Sequence, residues 1–176
     1  MTIRLDEAIK TAIEFEKNVL TVYREAGVNA VDPVGQRVFS TLAREEAGHV
    51  AYLESRLTEW QRSGRIVLEE LRTIVPDKAR ISEARERMAR PVGSPTASSS
   101  AFSTEPGFLQ RALAAERETS AFYRQMVSEL TDDSRRLFAR FLEIEEGHIA
   151  IVEAELDAVN GYGFWFGMRE FDLEAG

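Results

Sequence analysis

The chain contains only two histidines, His49 and His148, and each follows a glutamate by three positions: Glu46 in "REEAGH" (44–49) and Glu145 in "EIEEGH" (143–148). Residues three apart on a helix lie about 60° apart around its axis, so a carboxylate and an imidazole spaced in this way point to one side and can hold one metal ion. With 23 glutamates among 176 residues, a Glu three before a given His arises by chance about one time in eight, and a single motif would carry little. Two copies in register carry more. Glu45 also stands at helical spacing from His49, but its counterpart in the second copy is Ile144, whereas Glu46 and Glu145 correspond.

The elements that must position these residues are four apolar stripes of helical period. The first runs Leu5, Ile9, Ala12, Val19, Tyr23, with Glu16 inside it and Gly27 as a stop. The second opens at Asp32-Pro33 and reads Val38, Leu42, Glu46, His49, Leu53, Leu57, Trp60. The third, capped by Thr104 with Glu105 behind it, reads Leu109, Leu113, Glu116, Ser120, Tyr123, Val127, Leu130. The fourth starts at "TDD" (131–133) and reads Phe138, Phe141, Glu145, His148, Val152, Leu156, Val159 before "NG" at 160–161. Acids or histidines interrupt every stripe, while Glu14 and Glu118 fall outside them.

The halves repeat. "EKNVLTVY" (16–23) matches "ERETSAFY" (116–123), and "EAGHVAYLE" matches "EGHIAIVE" with an offset of 99. The expected fold is all-α: a four-helix bundle built from two repeated antiparallel helical hairpins, 3–62 and 107–160, joined by a long crossover, 63–106. Within the crossover, 66–75 and 77–90 have the composition of short helices, and "PVGSPTASSS" (91–100) reads as a flexible link.

Six candidate ligands, Glu16, Glu46, His49, Glu116, Glu145 and His148, lie at similar depths from the hairpin turns and can share one layer. Four buried carboxylates without cations would repel one another and lose hydration, whereas two divalent ions balance four negative charges. Oxygen and imidazole donors without sulfur suit iron or manganese, and iron is the redox-capable choice. Tyr23 and Tyr123, each seven residues after a glutamate of this set, are placed as hydroxyl donors to the carboxylates.

On these residues, over about 5–62 and 105–159, the chain resembles the rubrerythrin branch of the ferritin-like diiron carboxylate proteins. The resemblance implies a ferritin-like bundle, a diiron centre (manganese or a mixed pair being compatible) and oxidoreductase activity towards hydrogen peroxide or dioxygen. An iron-binding or ferroxidase protein without a dedicated organic substrate is the alternative, and a diiron hydroxylase a more distant one, which would need an apolar pocket. Two departures stand out. Rubrerythrins proper often add a four-cysteine rubredoxin-like site, and this chain has no cysteine. They also carry a further glutamate three after the third-helix ligand, where Thr119 stands here.

The remaining expectations come from composition. A net charge of -8 disfavours nucleic acid and anionic membranes as partners. The lack of cysteine suits a reducing compartment, and the N-terminus lacks the apolar core of a signal peptide, so a cytoplasmic protein is expected. Electrons must come from an external donor protein or small reductant. A homodimer is expected, with the aromatic tail (161–176) as a cap over the bundle or the dimer seam.

Overall fold

Apolar residues at steps of three and four share a face only on a helix. The computed structural model, which describes residues 4–31, 33–73, 79 and 105–159, has four long helices there. These are α1 (Leu5–Asn29), α2 (Pro33–Ser63), α3 (Glu105–Glu129) and α4 (Asp132–Val159), packed as an all-α four-helix bundle. Pro33 suits the first turn of α2 because its fixed φ is helical and its missing N–H would have had no partner. Gly64, at φ 67°, ends that helix and donates its N–H to the Trp60 carbonyl at 2.8 Å. This left-handed turn carries no steric cost for glycine.

Gly27 is not the stop that its position in the sequence implies. α1 continues to Asn29, and a Cβ on Gly27 would stand 3.1 Å from Ser40 Oγ of α2. The glycine serves close helix approach instead. The expected caps Asp32 and Thr104, the 77–90 helix apart from Ala79, the 91–100 link and the 161–176 tail lie outside the described residues.

Contacts fix the helix directions. Gly27 meets Ser40 while Lys17 lies 3.3 Å from Glu54, so α1 and α2 are antiparallel. Arg117 pairs with Glu153 and Arg124 with Glu146, seven residues forward in α3 and seven back in α4. Phe15 stacks near Phe122 while Glu25 pairs with Arg111, so α1 and α3 are antiparallel as well. It follows that α2 and α3 run the same way. The connection between them must therefore return along the bundle, roughly 45 Å for a helix of this length at 1.5 Å per residue.

Residues 65–73 begin that return and are not helical, which corrects the expected helix at 66–75 over those positions. The segment runs back along α2 as a strap. Tyr52 Oη donates to the Glu69 carbonyl at 2.9 Å, Arg56 donates to the Val67 carbonyl, Thr73 Oγ1 donates to Glu45, and Ile66 is buried in the core. Two carbonyls that a helix would use internally are thus taken by α2 side chains. An extended chain also covers about 3.3 Å per residue, twice the rise of a helix, which suits the long return.

Candidate metal centre

The ligand-type residues in the four stripes meet at mid-bundle. Glu16 comes from α1, Glu46 and His49 from α2, Glu116 from α3, and Glu145 and His148 from α4; none is more than 1 % exposed. The helices fold here despite the acids because the rest of each stripe is mostly apolar. Leu42, Leu53, Phe138, Phe141 and Ile151 surround the layer and are fully buried.

These six form two overlapping groups. Glu16, Glu46, His49 and Glu145 bring one donor atom each within 4.8 Å of one another, and so do Glu46, Glu116, Glu145 and His148. Glu46 and Glu145 belong to both. His49 Nδ1 lies 3.1 Å from Glu16 Oε2 and 3.2 Å from Glu46 Oε2. His148 Nδ1 lies 2.8 Å from Glu46 Oε1 and 3.3 Å from Glu116 Oε1, without hydrogen-bond alignment. Close, misaligned donor atoms are what a shared third centre between them would produce. The imidazoles stack, with centroids 5.6 Å apart and an interplanar angle of 14°.

The tyrosines cross over. Tyr23 of α1 donates to Glu116 of α3, and Tyr123 of α3 donates to Glu16 of α1. Each lies about 10.5 Å along its helix from its own helix's glutamate, and the antiparallel neighbour brings the other glutamate level with it. Burial, and then the surrounding carboxylate charges, hold both phenols well above their ordinary range, so they remain donors.

With protons as the only counter-charge, the carboxylates do not ionise alike. Burial, and then the charges of Glu116, Glu16 and Glu46, push Glu145 well above the carboxylate range. Burial and Glu46 push Glu16 up to about 8. Glu46 moves the other way: burial opposes its charge, but His49 and His148 outweigh burial and hold it well below its usual value. Burial also opposes charge on the histidines, yet Glu46 and Glu16 raise His49 to about 10, and Glu116 and Glu46 hold His148 well above its ordinary value. Near neutral pH, protons on Glu16, Glu145, His49 and His148 do the work that two divalent cations would do.

The donor set fits such cations. Glu46 Oε1, Glu116 Oε2 and both oxygens of Glu145 are buried and without a hydrogen-bond partner. Buried polar atoms of this kind are rare unless something else satisfies them. Carboxylate and imidazole donors without sulfur suit iron or manganese.

Glu45, Thr119, Phe141 and two residues that the stripes did not single out, Tyr52 and Arg56, complete the surroundings. Glu45 sits beside the layer and accepts the Thr73 hydroxyl. Thr119 is fully buried, but its hydroxyl bonds back to the Ala115 carbonyl at 3.0 Å and offers no carboxylate. Tyr52 and Arg56 hold the strap; Arg56 is 3 % exposed and lies 3.2 Å from Glu59 and 3.1 Å from Glu69. Phe141, read as core, packs edge-on against the His49 ring at 5.5 Å. A buried arginine seven residues after His49 was a signal in the sequence, but one with meaning only once the strap is known.

No protein-family model matches the chain, and no curated protein matches it. Fold and site together define the class: an all-helical four-helix bundle with a buried Glu/His cluster compatible with a diiron centre. Among the described residues no helix is long and apolar enough to cross a membrane.

Proposed function

We propose that this chain is a rubrerythrin-like diiron oxidoreductase that reduces hydrogen peroxide or dioxygen with electrons from outside the chain. The observation that carries the reading is the sharing of Glu46 and Glu145 between two four-residue donor groups. A single-ion site has no use for two carboxylates that face both ways. Glu16 and His49 would complete the set for one ion, Glu116 and His148 for the other. When bound, iron supplies the redox chemistry by cycling between ferrous and ferric states.

The chain's own residues set the conditions. Tyr23 and Tyr123 hold Glu116 and Glu16 in place by hydrogen bonds, which fixes the carboxylates and raises the cost of rearranging them. Phe141, fully buried against His49 and Tyr52 of α2, and Phe138, fully buried against Tyr123 of α3, exclude bulk water from the α4 side of the centre. With Thr119 tied to the helix backbone, α3 has no further acid at that position to exchange for Glu116, which supports comparable reactivity towards peroxide and dioxygen.

The chain has no cysteine with which to build an iron-sulfur relay, so a separate redox protein or a small reductant re-reduces the centre. A net charge of -8 favours a donor with a basic docking face. We further propose a homodimer. The decisive experiment loads the protein anaerobically with ferrous iron, counts the ions, and follows oxidation by stopped flow with peroxide and with dioxygen. Two ions per chain and oxidation at similar rates by both are expected, with turnover continuing only when a reductase and carrier are added. Fewer than two tightly held ions would overturn the reading. Oxidation without sustained turnover, whatever carrier is supplied, would favour iron handling.

A further inference from the structure

Between the strap and the first turns of α4 lies a cavity of about 630 Å³ that the metal centre does not use. Tyr52, Leu71, Leu137 and Phe141 give it an apolar and aromatic floor. Phe141 is the wall between cavity and centre, since the same ring meets His49 at 5.5 Å and Tyr123 at 5.3 Å. Pockets of about 300 to 1,000 Å³ take small organic ligands. This one is far larger than peroxide or dioxygen requires.

Its rim is cationic in an acidic protein. Arg136 and Arg140 of α4 line it, with Arg72 of the strap. Glu69 and Glu70 line it too, but Glu69 lies 3.1 Å from Arg56 and Glu70 lies 3.8 Å from Arg72. That leaves Arg136 and Arg140, which stand one turn apart on one helix, a like-charge spacing that destabilises it. Arg136 lies 3.1 Å from Asp133 and Arg140 2.7 Å from Glu143, but these pairs are well exposed and hold the side chains weakly. Arg140 also donates to the Leu71 carbonyl of the strap at 3.5 Å, but each guanidinium has five N–H donors, so these partners leave capacity for another anion. A like-charge pair kept at the mouth of an apolar cavity despite that local cost is a mark of a functional position.

The geometry points to a binding site for a small amphipathic carboxylate, an acyl or aryl acid, with its carboxylate between Arg136 and Arg140 and its apolar body against the half-buried Tyr52, Leu68 and Leu71. The site is independent of the metal reading, because none of its lining residues belongs to the Glu/His cluster.

Calorimetric titration of the full chain with 4-phenylbutanoate and with the matching alcohol, 4-phenylbutan-1-ol, tests it. The acid is expected to bind at one site per chain and about tenfold or more tighter than the alcohol, the effect of charge-assisted hydrogen bonds. The R136Q/R140Q variant should lose that preference and keep the affinity for the alcohol. L71W, which fills the cavity from the half-buried strap, should weaken both ligands. No acid binding up to about 5 mM, equal affinities for acid and alcohol in the unmodified chain, or an acid preference that survives in R136Q/R140Q would each overturn the proposal. The first two comparisons use only the unmodified chain, so they decide the matter even where a variant fails to fold.

Discussion

The two hairpins agree where they meet the centre and differ where they meet the strap. Glu16 and Glu116, Tyr23 and Tyr123, Glu46 and Glu145, His49 and His148 occupy matching positions, and the cross-bonded tyrosines show that the match is spatial as well as sequential. The residues of α2 that hold the strap have no such likeness. Glu45, Tyr52 and Arg56 correspond to Ile144, Ile151 and Glu155. A centre for two ions, as proposed, would ask for two equivalent half-sites, and both copies carry the same donors. Among the described residues only α2 carries a returning segment, and Tyr52 and Arg56 are its hooks. Symmetric donors therefore sit in an asymmetric shell, with the strap and its cavity on one side.

The largest effects should come from breaking the shared carboxylates. Glu145→Ala removes a donor from both groups and is expected to lower affinity for both ions by more than about 100-fold, larger than the loss typical of an outer hydrogen-bond partner. His49→Ala and His148→Ala each remove a donor from one group and should leave one tight ion per chain. Equilibrium dialysis with manganous ion reads all three. Two tight ions in Glu145→Ala would refute the sharing, and a large difference between the histidine variants would show that the strap makes the half-sites unequal.

A pH series sharpens the same point. Divalent ions must displace protons from Glu16, Glu145, His49 and His148, so affinity should rise with pH by more than about tenfold per unit through neutrality. Chelator-treated protein should behave oppositely. The pKa of Glu16 is raised from 4.5 to about 8 and that of His49 from 6.5 to about 10. The stability from Glu16 is complete below pH 4.5 and lost as pH passes 8; that from His49 is complete below 6.5 and lost as pH passes 10. Glu46, whose pKa is lowered, contributes stability above pH 4.5 that is lost in strong acid. The melting temperature of chelated protein should therefore fall from weakly acidic to alkaline pH while that of manganese-loaded protein holds or rises. Parallel curves would show that these groups do not hold the protons assigned to them.

Smaller effects are expected from the tyrosines. Tyr23→Phe and Tyr123→Phe each remove one hydroxyl from a carboxylate and should weaken binding by roughly 10-fold, within the range for outer-shell partners. Equal losses are expected because the bonds are reciprocal. A loss in one variant only would place the asymmetry inside the centre rather than around it.

Much of this was legible in the sequence because helical period and repetition are local signals. The interrupted stripes gave the four helices, and the register between the copies separated Glu46 from Glu45. Helix ends and the crossover were less legible for reasons that lie in tertiary structure. Gly27 reads as a stop until α2 is seen to approach it, and 66–73 reads as a helix until Tyr52 and Arg56 are seen to take its carbonyls. The pairing of each tyrosine with the opposite glutamate depends on α1 and α3 running antiparallel, which no single stripe reveals. The cavity depends on the strap and α4 together, and Arg136 and Arg140 look like ordinary surface charges until both are present.

The smallest expected effect tests the residue that sequence spacing alone could not exclude. Glu45 stands four before His49, a good spacing for a ligand, yet its carboxylate turns aside to accept the Thr73 hydroxyl and it belongs to neither donor group. Glu45→Gln keeps an acceptor for Thr73 and changes no member of the cluster. Two ions per chain and affinity within about twofold of the unmodified chain are expected, since the substitution changes no donor of either group. Glu46→Gln, one position on, should lose metal binding to a degree approaching that of Glu145→Ala. If Glu45→Gln proved the more damaging of the two, the register between the copies would be wrong by one residue, and the shared pair would have to be redrawn around Glu45.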